Sequence, residues 1–216
     1  MHPSRRNPPR GFTLLEVLVC IAIIAVLATI FLTVMNRLRQ SASSAVCVSK
    51  MNQISGGIMM YTQENNGRLP TSPKYNTLFT GQGPWFNRDD RRLQQPIGEY
   101  LGSPESRTWS TQGSQMTFDP TFSWPQLIKE GQVGSPSIVL NASVDIRNGE
   151  EVKRRNPWTG ERLGNIVEAR KFPMFTEVDQ KNTNAGWKSL LPPGPIHGKY
   201  RNTMFFDFHL ERVPVK

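Results

Sequence analysis

Histidine, cysteine and ordered catalytic spacings are scarce in this chain, and each shortage removes a class of function. Of 216 residues only three are histidines (His2, His197, His209) and two are cysteines (Cys20, Cys47). There is no Gly-x-Ser-x-Gly, no phosphate-cradling glycine loop, no His-Glu-x-x-His and no clustered cysteine pair. Such a chain reads as the substrate of an enzyme rather than an enzyme. If one helix carries both cysteines they stand ~40 Å apart along its axis and cannot pair, so each reads as a small apolar packing residue. A domain without internal disulfides relies on its core, with a metal or assembly as the available supports.

Proline is missing from residues 36–66, and no second apolar run is long enough to span a bilayer. The first run is long. Residues 12–35 read FTLLEVLVCIAIIAVLATIFLTVM, without Lys, Arg, Pro or Gly. At ~1.5 Å per helical residue they extend about 36 Å, against a hydrocarbon core of ~30 Å. Glu16 is the one charge in the run. A carboxylate there costs on the order of 2.5–3.5 kcal/mol on insertion scales, so a functional role and a partner are expected. Cutting after Gly11 creates that partner, because it turns Phe12 into a charged α-amine one helical turn from Glu16.

Residues 10–16, Arg-Gly-Phe-Thr-Leu-Leu-Glu, followed by the apolar stretch, resemble the N-terminus of type IV prepilins and type II secretion pseudopilins. The resemblance implies that a prepilin peptidase cuts between Gly11 and Phe12, that the new Phe12 amine is methylated, and that Glu16 registers subunits during assembly. A secretory signal peptide has a shorter apolar core and a small-x-small site, for which only Ser43-Ser44-Ala45 offers itself. A twin-arginine reading of Arg5-Arg6 meets Pro8 and Pro9 where apolar residues should follow. A plain anchor leaves Glu16 and the Gly11-Phe12 junction without a purpose.

Lys plus Arg exceed Asp plus Glu by nine, and three of the positive charges (Arg5, Arg6, Arg10) leave with the leader, so the mature side chains sum to +6. A basic leader stays cytoplasmic, outweighing Arg37 and Arg39 beyond the run, which places the rest outside the inner membrane. Beyond the run, Met51, Ile54, Ile58 and Tyr61 recur at helical spacing, preceded by Leu38, Ala42 and Ala45. Gly56-Gly57 is a soft point in this stripe, and Asn65-Asn66-Gly67 with Pro70 a stop.

From residue 67 the composition changes: fourteen of the seventeen prolines fall there, favouring long loops and short strands. Residues 96–101 predict a helical turn. Residues 137–141 (SIVLN) predict a buried strand, and 171–178 (KFPMFTEV) another, which Pro173 pushes to a sheet edge. Residues 148–163 predict an exposed polar loop. Residues 202–206 and 209–213 predict two strands joined at Asp207-Phe208.

The tail is similar to the C-terminus of a pseudopilin-like group of planctomycete and verrucomicrobial bacteria, in which histidine, nine residues and Asp-Gly form a hallmark, often followed by His. His197, Asp207 and His209 match it; Phe208 replaces the glycine, which implies a wider turn. Phe118-Asp119-Pro120 stands where that group often has Cys-Pro. His197, Asp207 and His209 form the one set with metal-ligand character, although Asp207 beside a turn commonly bonds backbone amides instead. Calcium, held by loop carboxylates and carbonyls, is what the family resemblance adds; Asp89-Asp90 and Glu150-Glu151 are acidic pairs beside basic residues and read as solvated loop faces. Two basic-aromatic clusters, Arg88, Arg91 and Arg92 near Trp85 and Phe86, and Lys153, Arg154 and Arg155 near Trp158, suit DNA phosphates or, more simply, a solvated surface.

The expected molecule is an α+β pilin-like subunit. Residues 1–11 form the leader, 12–35 a transmembrane and filament-core helix, 36–66 its amphipathic continuation, and 67–216 a loop-rich β domain with a small antiparallel sheet. The expected function is that of a non-enzymatic pseudopilin of a type II secretion-like or pilus-like filament, with prepilin peptidase, other pilin subunits, the inner membrane and a secreted cargo as partners. The second expectation is a minor type IV pilin that binds DNA or a surface ligand through the basic loops.

Overall fold

The computed structural model describes residues 14–86, 91–102, 108–111, 114–125, 127 and 136–215. The chain divides into two compact units, Met1–Ala42 and Ser43–Lys216. Helix α1 (Leu14–Glu64) supplies the described part of the first unit and the start of the second. In the first unit its apolar side chains from Leu14 to Leu32 are exposed on every face. That pattern marks a helix whose solvent is lipid or other helices.

In the second unit α1 buries Ser44, Cys47, Met51, Ile54, Ile58 and Thr62, at steps of three and four. The stripe therefore runs back from Met51 through Cys47 and Ser44, not through Ala45 and Ala42, which are exposed along with Leu38. Counting back from Met51 by four and seven gives 47 and 44, and the alanines fall on the adjacent face. Hydrophobic type misled here and helical period decided. The helix ends as its chemistry dictates: Asn66 (φ 55°) and Gly67 (φ 74°) turn left-handed, and Gly67 N–H donates to Thr62 O at 2.7 Å.

Helix α2 (Gln94–Leu101) packs against this part of α1. Tyr100 donates to Glu64 at 2.5 Å, and that hydrogen bond pushes its phenol up to about 12. A Cβ on Gly57 lies 2.9 Å from Leu101 Cδ2, whereas one on Gly56 meets nothing within 4 Å. The two neighbouring glycines thus answer differently to alanine. Gly56→Ala is expected to stabilise the protein by about 0.5–1 kcal/mol through helix propensity. Gly57→Ala must displace Leu101 and gains less or loses. Urea unfolding of the two variants checks this, and a destabilised Gly56→Ala contradicts it.

The β structure is antiparallel throughout. Strands β1 (Gly81–Gln82), β5 (Ile138–Leu140), β8 (Pro173–Glu177), β9 (Tyr200–Phe205) and β10 (Leu210–Pro214) form a five-stranded sheet in the order β1-β5-β8-β9-β10. Strands β2 (Trp85–Phe86), β3 (Thr108–Thr111) and β4 (Ser114–Phe118) form a second, ordered β2-β4-β3, and β6 (Val144–Asn148) pairs with β7 (Glu151–Arg155). One core joins α1, α2 and the larger sheet through Met51, Ile54, Ile97, Trp124, Phe175 and Met204. The α+β class and the small sheet agree with the sequence.

Two local expectations need correction. The strand carrying Pro173 is the middle of its sheet, because the proline occupies the first strand position beside a bulge at Pro173/Phe175, where a missing N–H costs nothing. Residues 148–163 are not one loop. β7 forms a hairpin with β6, its side chains all exposed, and polarity on both faces hides it from a pattern search. The same stretch buries Trp158, whose Nε1 donates to Asn141 O at 2.9 Å while Asn156 caps its turn. The β9–β10 connection, by contrast, agrees with the expectation drawn from Phe208: it is wider than a two-residue turn. Phe208 N–H donates to Phe205 O at 2.9 Å, and Phe208 itself takes φ 65°. Packing of its ring against the core offsets a strain of about 1–3 kcal/mol.

Candidate functional site

Two places carry unusual chemistry, one in each unit. In the first, α1 holds Glu16 exposed among Leu14, Leu15, Val17 and Leu18. Residues Leu14–Leu32 are long and apolar enough to cross a membrane, the one such helix among the described residues. Gly11 and Phe12 lie outside the described residues.

In the second unit a buried polar node forms around Glu177, at the end of β8. Its side chain and that of His197 are each 3% exposed. Glu177 Oε1 accepts from Trp124 Nε1, His197 Nε2 and Asn202 Nδ2, each at 3.0 Å, and Oε2 accepts from the Asn202 backbone N–H at 2.9 Å. Four such donors satisfy a carboxylate that burial alone would make costly. Cys47 Sγ on α1 completes a group in which Cys47, Glu177 and His197 ligand atoms all lie within 4.8 Å of one another. The His197 ring stacks on Tyr200 at 5.3 Å between centroids, and Tyr200 shares a 3.0 Å hydrogen bond with Ser44. One turn beyond Cys47, the half-buried Lys50 donates to Ser123 O; burial pushes its ammonium pKa down, against the raising effect of Cys47 and Asp119.

His197 therefore stands with Cys47 and Glu177, not with Asp207 and His209. Those two remain at the tip of the β9–β10 hairpin. There Asp207 accepts from the His209 backbone at 3.3 Å and from its Nδ1, and the His209 ring stacks on Phe205 at 4.3 Å. For Asp207, burial works to raise the carboxyl pKa, but the His209 hydrogen bonds outweigh it and hold the pKa below the usual value. Asp119 likewise closes a turn, accepting from Thr121 N–H at 2.8 Å.

The basic clusters are largely engaged within the chain. Arg91 lies over Tyr75 and Phe79 at 4.8 and 5.0 Å, and Arg92 donates to Gly81 O at 2.8 Å. On β7, Lys153 pairs with Glu151, Arg154 pairs with Asp145 and covers Phe172, and Arg155 is exposed. Arg88, Asp89 and Asp90 lie outside the described residues.

Comparison with known proteins decides what the N-terminal helix belongs to. The family model "Prokaryotic N-terminal methylation motif" matches residues 6–32, the segment that holds Gly11, Phe12 and Glu16. Type II secretion system core protein G of Klebsiella pneumoniae is 30% identical over 131 residues, 60% of this chain and 81% of that protein. The chain belongs to the type II secretion pseudopilin family. The Klebsiella michiganensis core protein G is 27% identical over 169 residues, covering 77% of this chain and 99% of the relative. No solved structure matches. The family is one of structural pilin-like subunits, and the described fold, a long helix with a small antiparallel sheet, suits it.

Among the described residues the one close group of three His, Cys, Asp or Glu side chains offers a thiol and an imidazole beside a single carboxylate, a set unlike the six to eight oxygens that calcium takes. Sequence reasoning missed Glu177 and Cys47 as partners of His197. One local signal existed: Phe175 and Glu177 are two apart on a strand, so a carboxylate shares the face of a core phenylalanine.

Proposed function

We propose that the chain is a non-enzymatic, single-pass inner-membrane pseudopilin. Prepilin peptidase cuts it between Gly11 and Phe12, the new Phe12 amine is methylated, and the apolar helices then bundle as a filament core. The observation that carries this reading is Glu16, one carboxylate set in a fully exposed apolar helix within the matched methylation motif. In the filament core the Phe12 amine of one subunit neutralises Glu16 of a neighbour, so that both charges are buried as a pair. Head-to-tail contacts that do not close propagate a helix. The core protein G relatives support a secretion filament; the basic leader argues for a C-terminal unit outside the membrane, where a secreted protein is the cargo of this reading. The engagement of Arg91, Arg92, Lys153 and Arg154 within the chain gives the DNA-binding reading no support of its own.

Intact and N-terminal peptide mass of the protein recovered from its native membrane is the direct test. A mature chain starting at methylated Phe12 is expected. A Met1 start would make the chain a plain anchor, and a start near Val46 an ordinary secreted domain; either sinks the filament reading.

A further inference from the structure

We infer that Cys47, Glu177 and His197 form a zinc-class transition-metal site that ties α1 to the sheet. The three residues come from three different segments: α1, the end of β8, and the proline-rich loop before β9. Nothing local brings them together, yet their ligand atoms lie within 4.8 Å of one another in a buried setting. One sulfur, one nitrogen and one carboxylate oxygen suit a tetrahedral zinc ion with a fourth, non-protein position. The charges also balance, since thiolate and carboxylate neutralise a divalent cation and leave no net charge in the core.

The surroundings of the site supply what a metal ligand needs from its neighbours. Trp124 Nε1 and the Asn202 amide hold the Glu177 carboxylate in place, as outer hydrogen bonds commonly do for ligating carboxylates. Tyr200 fixes the plane of the His197 ring. A second observation points the same way. Asn202 is fully buried, and its Oδ1 has no hydrogen-bond partner, although the same amide bonds Glu177 Oε1. An orphaned acceptor beside the cluster is accounted for by a metal-bound water at the fourth position. On binding, the proton of the neutral His197 ring moves from Nε2 to Nδ1 so that Nε2 takes the metal, and the Cys47 thiol binds as thiolate with release of one proton. The site does for this domain what a disulfide does elsewhere, joining the helix to the sheet without a second cysteine.

The test uses the untagged full chain in detergent, stripped with chelator and reloaded with Zn2+ or Co2+. One zinc per chain is expected after dialysis, with a zinc-dependent rise in Tm. The cobalt form is expected to show a thiolate-to-cobalt charge-transfer band and the visible bands of tetrahedral coordination. Cys47→Ser should lose the charge-transfer band, and His197→Gln should lose zinc retention, both with an unchanged far-UV spectrum. The wild-type cobalt spectrum and Tm decide the matter even where a variant fails to fold. No charge-transfer band and no zinc-dependent Tm shift in the wild type overturn the site. Binding that persists in both folded variants places the metal elsewhere and overturns it too.

Discussion

Glu177→Ala is expected to destabilise the Ser43–Lys216 unit by about 3–5 kcal/mol, most of it from donors left unpaired in the core. The carboxylate accepts from Trp124, His197 and both the backbone and side chain of Asn202, so its removal strands four N–H groups at once. Each orphaned buried donor costs about 1–3 kcal/mol, and relaxation recovers part of the sum. For a unit of this size the loss corresponds to a fall in Tm of roughly 6–20 °C. Glu177→Gln keeps one acceptor but turns an NH2 toward a group of donors, so it is expected to fall between wild type and alanine. Urea unfolding followed by tryptophan fluorescence reads both, since Trp124 and Trp158 are buried. A loss below about 1 kcal/mol for alanine, the worth of an ordinary hydrogen bond, would show that the node is not what organises this part of the core.

What the sequence revealed and what it hid follow from the range of the interactions involved. The helix stop was legible because Asn65, Asn66 and Gly67 terminate a helix by their own backbone preferences. Strands β5 and β9–β10 were legible because apolar residues cluster within a few positions. The β6–β7 hairpin was hidden because both of its faces meet solvent along β7, leaving no alternation to read. Pro173 misled because a proline signals an edge only where its missing N–H would have been needed, and at a strand's first position it is not. The polar node was hidden for a different reason. His197 was placed with Asp207 and His209 by spacing alone, whereas its actual partners are Glu177, 20 residues away on β8, and Cys47, much further away in sequence on α1. Only the packing of helix on sheet selects those partners. At the N-terminus the reverse holds: Glu16 and its flanking motif are a local signal, and the helix adds exposure on every face.

Glu16→Leu is the variant in which membrane insertion and assembly should move in opposite directions. On insertion scales a central charge costs about 2.5–3.5 kcal/mol while leucine contributes about −0.3 to −0.6, so the substitution eases insertion, by less than the full difference because Glu16 lies near one end of the span. The variant is therefore expected to accumulate in the membrane at or above the wild-type level. Its filaments, sheared and measured by immunoblot against the membrane pool, are expected to fall at least tenfold. A neighbour's Phe12 amine, once buried without Glu16, becomes an unpaired charge, and removing one partner of a buried pair costs about 3–5 kcal/mol at every subunit contact. Such a cost repeats along the filament, which is why one substitution should abolish polymer without unfolding the subunit. A plain anchor predicts the opposite, better insertion with nothing lost. If Glu16→Leu assembles as well as the wild type, the carboxylate has no part in registration, and the resemblance at this position carries no mechanism.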